Sequence, residues 1–166
     1  IEEYLEIIKK LKEFKNNIEF SSDFIIGYPG ETQDDFEQTI NLMNTVKFIN
    51  SYSFIFSARP GTPSYSLKEI DKNISKERLT KFQKISNDIK TNYRKTLLAK
   101  TIKVLFENKT KEGKKYFGRD EHFNSVIVSS DENLIGKIKN IKLTKISQNT
   151  LFGEISSKLT QEDFAA

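Results

Sequence analysis

The chain has 166 residues, of which 36% are hydrophobic and 30% are charged, and its formal net charge is +4. It contains no cysteine and one histidine, which excludes a disulfide framework, a thiolate or multi-histidine metal site, a cysteine nucleophile and an iron–sulfur cluster held by this chain itself. No apolar run approaches the roughly 18–20 residues of a membrane span. Because the chain opens on Ile1, inside an amphipathic pattern and without a signal peptide, we expect a piece of a longer protein.

The first hundred residues alternate between helical and strand patterns. In residues 1–15 apolar side chains recur every three or four positions, with acidic residues first and lysines later, as the helix dipole favours. Residues 18–27 and 51–57 are short apolar runs bounded by Pro-Gly turns, which is typical of buried strands. Thr32 is placed to cap the helix between them. This order predicts parallel βα units, whose functional loops lie at the carboxyl ends of the strands.

A long helix is predicted over residues 75–98, with Ser75 as its N-cap, and the apolar period then changes from helical to two. Five short strands within about 60 residues indicate a small barrel of the oligonucleotide-binding kind. The alternation of apolar and polar residues is interrupted between Ile138 and Ile141, which predicts a bulge there. The predicted strands lie near residues 102–107, 116–118, 124–128, 136–146 and 151–155.

The expected organisation is a first domain over residues 1–97, a barrel domain over residues 98–158 and a loose tail over residues 159–166. The barrel segment contains twelve basic and seven acidic residues, a net charge of +5, whereas the first domain has fifteen basic and fourteen acidic residues. A basic segment favours a polyanion partner such as RNA. A general abundance of lysine explains the same excess, so charge alone leaves both interpretations open.

The loop after the first predicted strand, residues 23–32, is the first candidate ligand site. Gly27 and Gly30 permit close approach of a ligand to the backbone. Asp23 and Glu31 can accept hydrogen bonds from ribose hydroxyls or amino groups. An ordinary βα turn followed by a helix cap accounts for the same residues without any ligand.

Further candidates lie in the second strand-end loop and in the barrel. Arg59, in a loop stiffened by two prolines, can hold a carboxylate or phosphate or can be a solvated residue of a rigid connector. Phe117 and Phe152 can stack on bases or can fill the barrel core. His122 is expected at the surface or at a strand edge, and the sequence shows no partner for a general-base role.

Five motifs stand out in chain order: DFIIGYPGET at residues 23–32, RPGTP at residues 59–63, GRDE at residues 118–121, LIG at residues 134–136 and LFGE at residues 151–154. Taken in this order, they resemble the carboxyl half of the radical S-adenosylmethionine methylthiotransferases. The resemblance covers nearly the whole chain. The first two motifs are specific to methylthiotransferases, and the last three resemble the TRAM module, a small RNA-binding β-barrel, which favours a family member that acts on tRNA.

The resemblance implies an α/β fold followed by all-β: the carboxyl half of a partial (β/α) radical SAM barrel and a five-stranded TRAM barrel of the OB type. It implies a full-length cytoplasmic, monomeric enzyme without membrane contact. That enzyme binds the tRNA anticodon arm and adds a methylthio group to carbon 2 of isopentenyladenosine beside the anticodon. Its cofactors are S-adenosylmethionine and two 4Fe-4S clusters. Because the cluster cysteines are absent here, this chain ligates neither cluster, its catalytic residues are unassigned, and alone it is expected to be inactive.

The resemblance also implies residue roles, and two other functions stay open. One alternative is an RNA-binding TRAM module without chemistry, and the other is a methylthiotransferase that acts on threonylcarbamoyladenosine in tRNA or on a ribosomal protein. The residues that the resemblance places at S-adenosylmethionine are Asp23, which stands where a glycine is often found, Ile25, Gly27, Gly30, Glu31 and Arg59. Those that it places at tRNA are Arg119, Lys137, Asn149 and Phe152.

Overall fold

The computed structural model describes residues 1–111 and 113–156. The predicted tail over residues 159–166, and the last two residues of the predicted barrel domain, lie outside the described residues. The chain forms two compact units, Ile1–Asn92 and a second that begins at Tyr93. Within the described part of the chain, no helix is both long and apolar enough to cross a membrane.

The first unit contains a two-stranded parallel sheet and the helices that cover it. In this sheet Ser21 lies opposite Asn50 and Ile26 opposite Ile55, as the βα pattern predicts. The last helix begins in this unit and ends in the second. The elements are α1 (Glu2–Phe14), β1 (Ser21–Ile26), α2 (Gln33–Val46), β2 (Asn50–Ile55), a 3₁₀ turn (Pro63–Ser66) and α3 (Lys72–Leu97).

Only one face of this sheet is packed. Residues that pair across neighbouring strands share a face, and the pairs Asp23–Tyr52 and Ile25–Phe54 put four side chains on the face opposite the core. There Ile25, Tyr52 and Phe54 are each about 60% exposed. The helices therefore pack on the other face, where the core side chains are Ile8, Ile26, Phe36, Ile40, Met43, Val46, Phe48 and Phe82.

The start of α2 is fixed by a reciprocal pair of hydrogen bonds, which confirms Thr32 as its N-cap. The Thr32 hydroxyl accepts from the Asp35 N–H at 3.1 Å, and the Asp35 carboxylate accepts from the Thr32 N–H at 2.9 Å. The hydrogen bonds from the Thr32 side chain and backbone lower the pKa of the Asp35 carboxyl below its ordinary value.

The start of α3 differs from the sequence prediction. Oδ1 of Asp71 accepts from the backbone N–H groups of Asn73 at 2.8 Å and Ile74 at 3.3 Å. Asp71 therefore caps this helix, and the prediction of Ser75 as the N-cap was wrong because an effective capping carboxylate lies four residues earlier. Ser75 is instead buried within the first turns of α3.

The second unit is a closed five-stranded barrel in the order β3-β4-β5-β7-β6. All five strands that the alternating pattern predicts are present. Neighbouring strands are antiparallel, apart from the parallel pair β5 and β7. The strands are β3 (Thr101–Lys109), β4 (Lys115–Asp120), β5 (Ser125–Ser129), β6 (Ile138–Ile146) and β7 (Leu151–Ile155).

Glycines allow the walls of this barrel to close. A Cβ on Gly118 would lie 2.4 Å from the carbonyl oxygen of Leu105, and one on Gly153 would lie 2.5 Å from that of Lys142. Both glycines therefore sit where a neighbouring strand leaves no room for a side chain. The interior is filled by Val104, Phe106, Tyr116, Val126, Val128, Leu134, Ile141, Leu143 and Leu151.

The predicted bulge between Ile138 and Ile141 was wrong. β6 pairs with β3 without interruption over this stretch. Ile138 lies opposite Leu105 and is 65% exposed. Its outward-facing side chain interrupts the alternation of apolar and polar residues along β6. The register of β6 shifts later, between Leu143 and Lys145, where the strand pairs with β7.

We predict that Gly118→Ala lowers the free energy of unfolding by about 1–3 kcal/mol, because the added methyl group meets the β3 backbone. Urea denaturation of the 166-residue chain measures this loss. The control is Ser129→Ala at an exposed position of β5. Equal stability of Gly118→Ala and the wild type would show that barrel closure does not need this glycine.

The capping box gives a pH-dependent prediction. Since the pKa of Asp35 is lowered in the folded state, its ionised form stabilises the fold above the unfolded pKa, and this contribution is lost as the pH falls through the folded pKa. The unfolding free energy of the wild type should therefore fall more steeply below about pH 4 than that of Asp35→Asn. Gln38→Ala, at an exposed position of α2 that carries no titratable group, should keep the wild-type slope. Superimposable profiles for wild type and Asp35→Asn would contradict the capping box.

Candidate functional site

The loop after β1 turns at two glycines with positive φ, 76° at Gly27 and 87° at Gly30. These angles are in the region that glycine adopts without strain. A Cβ on Gly27 would lie 2.5 Å from the Ser75 hydroxyl oxygen, whereas one on Gly30 would meet nothing within 4 Å. The group that closely approaches the Gly27 backbone therefore belongs to helix α3 of the same unit. The space beside Gly30 is open.

Glu31 holds this loop in place. Its Oε2 accepts from the Gly27 N–H at 3.1 Å and from Nη1 of Arg78 at 2.6 Å, and the same Nη1 donates to the Glu31 carbonyl oxygen at 3.0 Å. The side chains of Glu31 and Arg78 are only 10% and 9% exposed. The arrangement joins the loop after β1 to helix α3 through a mostly buried ion pair. Contact between Glu31 and a ligand stays a prediction.

The second predicted loop lies at the same edge of the sheet. The Phe56 N–H donates to the Ile26 carbonyl oxygen at 2.8 Å, and the Phe56 ring meets the Tyr28 ring edge-on with centroids 5.1 Å apart. Arg59 is exposed, and its carbonyl oxygen accepts from the Thr62 hydroxyl at 2.8 Å. The fold therefore brings both loops together, as the βα pattern predicts.

The cleft at this edge is small, and the open sheet face beside it carries Asp23 and Ile25, two of the residues that the resemblance assigns to S-adenosylmethionine. The cleft beside Gly27 and Phe56 has a volume of about 140 Å³, less than the roughly 300 Å³ of small ligand pockets. The exposed face offers apolar and aromatic contact from Ile25 and Phe54, and a carboxylate from Asp23 for ribose hydroxyls. Across residues 1–111 and 113–156, no group of three or more acidic or histidine side chains is placed to hold a metal ion.

An aromatic row crosses the outside of the barrel. Strand pairing places Lys145 opposite Phe152, Phe152 opposite Ile127 and Ile127 opposite Phe117; we call these four residues the outer row. The two rings are half-buried, while alternate residues of the same strands fill the interior. Phe117 and Phe152 therefore lie on the outer surface of the barrel and do not fill its core.

Each ring of the outer row has a cation near its face. The Arg119 guanidinium carbon lies 5.3 Å from the Phe117 ring centroid, and Nζ of Lys145 lies 6.0 Å from that of Phe152. Nε of Arg119 is also 3.3 Å from Oε1 of Glu107, and both side chains are about 40% exposed. Flat apolar rings can stack on nucleobases, and the positive charges beside them can hold phosphates.

The four barrel residues that the sequence assigned to tRNA divide into two groups. Arg119 and Phe152 lie on or beside the outer row. Lys137 is exposed in the turn before β6, and Asn149 is exposed in the turn between β6 and β7. The structure therefore supports a shared surface for the first two and places the others in separate turns.

Buried polar side chains anchor the turns at one end of the barrel. Arg94, only 4% exposed, donates from Nη1 to the Gln148 carbonyl oxygen beside Asn149. Burial lowers the pKa of Arg94, and the nearby Asp120 carboxylate partly offsets this effect. His122 has a partner that the sequence did not indicate, because its Nδ1 lies 3.1 Å from the Tyr93 hydroxyl oxygen.

Sequence reasoning missed three residues that define these sites. Ile127 and Lys145 complete the outer row, and Arg78 holds Glu31. The alternation of strand residues was the signal available for Ile127, since inward valines flank it. No local pattern links Arg78 to Glu31, which lies 47 residues earlier.

The protein-family model described as the TRAM domain matches residues 95–156. The chain is also similar to proteins named tRNA-2-methylthio-N(6)-dimethylallyladenosine synthase. It is 49% identical over 158 residues to that of Pelagibacter ubique, 42% over 156 residues to that of Rickettsia akari and 41% over 155 residues to that of a Wolbachia strain from Brugia malayi. The alignments cover 92–94% of this chain and 35% of each relative, so the chain spans about a third of their length.

We predict that Glu31→Gln lowers the free energy of unfolding of the 166-residue chain by about 3 kcal/mol, because it leaves the mostly buried Arg78 without its counter-charge. Glu37→Gln, on an exposed position of α2, is the matched control and should change stability by less than about 0.5 kcal/mol. Thermal and urea unfolding measure both variants. Equal small losses in the two would contradict the loop-holding role of Glu31.

Proposed function

We propose that this chain is the carboxyl-terminal part of a tRNA methylthiotransferase, because residues 95–156 match the TRAM domain and nearly the whole chain is similar to part of such enzymes. In the full-length protein the reaction is the addition of a methylthio group to carbon 2 of isopentenyladenosine in tRNA. The barrel binds the tRNA anticodon arm, and the first unit supplies one edge of the cofactor site. The names of these relatives favour this substrate over threonylcarbamoyladenosine or a ribosomal protein.

The outer row is the observation that carries the tRNA-binding part of this proposal. The outer row crosses four strands of a domain that matches TRAM, and each of its two aromatic rings has a cation beside it. Base stacking on aromatic rings tolerates any sequence, and lysine and arginine hold phosphates. The net charge of +5 over residues 98–158 favours approach of a polyanion to this domain.

For the chemistry, S-adenosylmethionine and two 4Fe-4S clusters would supply radical reactivity. The clusters need cysteine ligands, which this chain lacks, so this chain alone carries out no reaction. Its own contribution is to bind and orient. Ile25 and Phe54 would contact the adenine ring, Asp23 would accept hydrogen bonds from the ribose hydroxyls, and Arg59 would face the cofactor or substrate. Glu31 and the two loop glycines, Gly27 and Gly30, hold the loop after β1 in its conformation.

The proposed setting is that of a soluble RNA-modifying enzyme. The full-length protein acts as a monomer in the cytoplasm, where its tRNA substrate is found. A barrel that binds RNA without chemistry describes the behaviour expected of this chain in isolation.

The activity is tested in a strain in which the gene is disrupted. Nucleosides from its tRNA should lack the methylthio group on isopentenyladenosine and should accumulate the unthiolated nucleoside, and mass spectrometry measures both. Restoring the gene should restore the modification. Retention of methylthio-isopentenyladenosine in the disrupted strain, with loss of a different modification, would overturn the proposed substrate.

The binding surface is tested with two variants of the outer row in the 166-residue chain. Lys145→Gln should reduce the slope of log affinity against log salt by about 1, because one phosphate contact is lost. Phe152→Leu keeps an apolar side chain, and should weaken binding to tRNA several-fold at every salt concentration. Fluorescence anisotropy with labelled tRNA measures both effects, and Lys10→Gln on α1 is the control. Unchanged binding by both variants would place the RNA surface elsewhere.

A further inference from the structure

The turn between β4 and β5 presents a phenylalanine to solvent in an unusual backbone conformation. Phe123 is 73% exposed and has a φ of 60°. A positive φ is strained for a bulky side chain, and an exposed aromatic ring contributes nothing to the barrel core. Asparagine or glycine would suit this position better on conformational grounds alone. The ring therefore has no explanation in the stability of the fold.

The surrounding turn is built to hold this conformation. Oδ1 of Asp120 accepts from the His122 and Asn124 N–H groups at 2.9 and 2.8 Å, and its Oδ2 accepts from Nδ2 of Asn124 at 2.8 Å. Both Asp120 and Asn124 are buried. The Phe123 N–H also donates to the Asp120 carbonyl oxygen at 3.1 Å. A strained residue persists where neighbouring hydrogen bonds determine its geometry in this way, and such residues cluster at binding sites.

The turn that carries Phe123 is linked to the outer row. Arg119 joins the two, because its guanidinium stacks on Phe117 at 5.3 Å while its Nη1 donates to the Phe123 carbonyl oxygen at 3.4 Å. An exposed aromatic ring in a turn close to a surface with two further rings fits the way in which single-stranded nucleic acids are held, one base to each ring.

We propose that Phe123 stacks on an unpaired nucleobase of the bound RNA. The inference rests on the proposed function of the barrel as a tRNA-binding domain. A base in a duplex presents no free face, so this contact selects single-stranded loops over paired stems. The ring carries no charge, and its contribution is therefore independent of the phosphate contacts made by lysine and arginine.

Phe123→Asn separates this role from a structural one. Asparagine tolerates the left-handed conformation, so the variant should unfold at the same temperature as the wild type or at a higher one. Its affinity for a tRNA anticodon stem-loop should fall about tenfold, with an unchanged salt dependence, while its affinity for a fully paired RNA of the same length should stay constant. Phe14→Asn, at another exposed phenylalanine on α1, should bind both RNAs like the wild type.

Phe123→Trp gives a direct reading, because the chain contains no tryptophan. We expect the new indole to keep wild-type affinity and its fluorescence to be quenched by the stem-loop but not by the paired RNA, whereas Phe14→Trp should respond to neither.

Two results would overturn the stacking role while the tRNA-binding function stands. In the first, Phe152→Leu weakens stem-loop binding but Phe123→Asn does not. In the second, the stem-loop leaves the fluorescence of the Phe123→Trp variant unchanged. Either result would exclude a base stacked on Phe123. If the wild-type chain does not bind the stem-loop even at low salt, the proposed function itself fails.

Discussion

The constraint on which the barrel depends is the close approach of its strands. Closure leaves no room for a side chain at Gly118 or Gly153, and it fixes the register of every strand. Once the register is fixed, the alternation of side chains along β4, β5 and β7 places successive residues inside and outside the barrel. Phe117, Ile127 and Phe152 are in this way forced outward together. The aromatic surface is thus a direct consequence of the packing that makes the barrel stable.

The first unit depends on a different interaction, the ion pair between Glu31 and Arg78. A mostly buried pair of this kind costs desolvation, which is offset only when the geometry and the additional hydrogen bonds are good. Here the carboxylate also accepts from Gly27, and the guanidinium also donates to a backbone carbonyl. The pair therefore shapes the loop at the carboxyl end of β1, beside a sheet face that this unit leaves exposed.

Most of the fold followed from local patterns, and the errors have physical causes. Period-two alternation located all five barrel strands, and the Thr32 cap was visible because capping is local. The Ser75 cap failed because Asp71 competes for the same helix start. The Ile138 bulge failed because an outward isoleucine imitates a phase slip. Arg78 could not be found, since its partner is distant in sequence, and the outer row could not be assembled before the pairing of β5 with β7 was known.

The central claim is that RNA lies across the outer row of the barrel. Its most direct test is amide chemical-shift mapping of the isotope-labelled 166-residue chain titrated with an anticodon stem-loop. The account predicts that the largest shifts occur at Phe117, Ile127, Lys145 and Phe152, with small shifts along α1. Shifts confined to residues of the first unit, with the barrel strands unchanged, would contradict it.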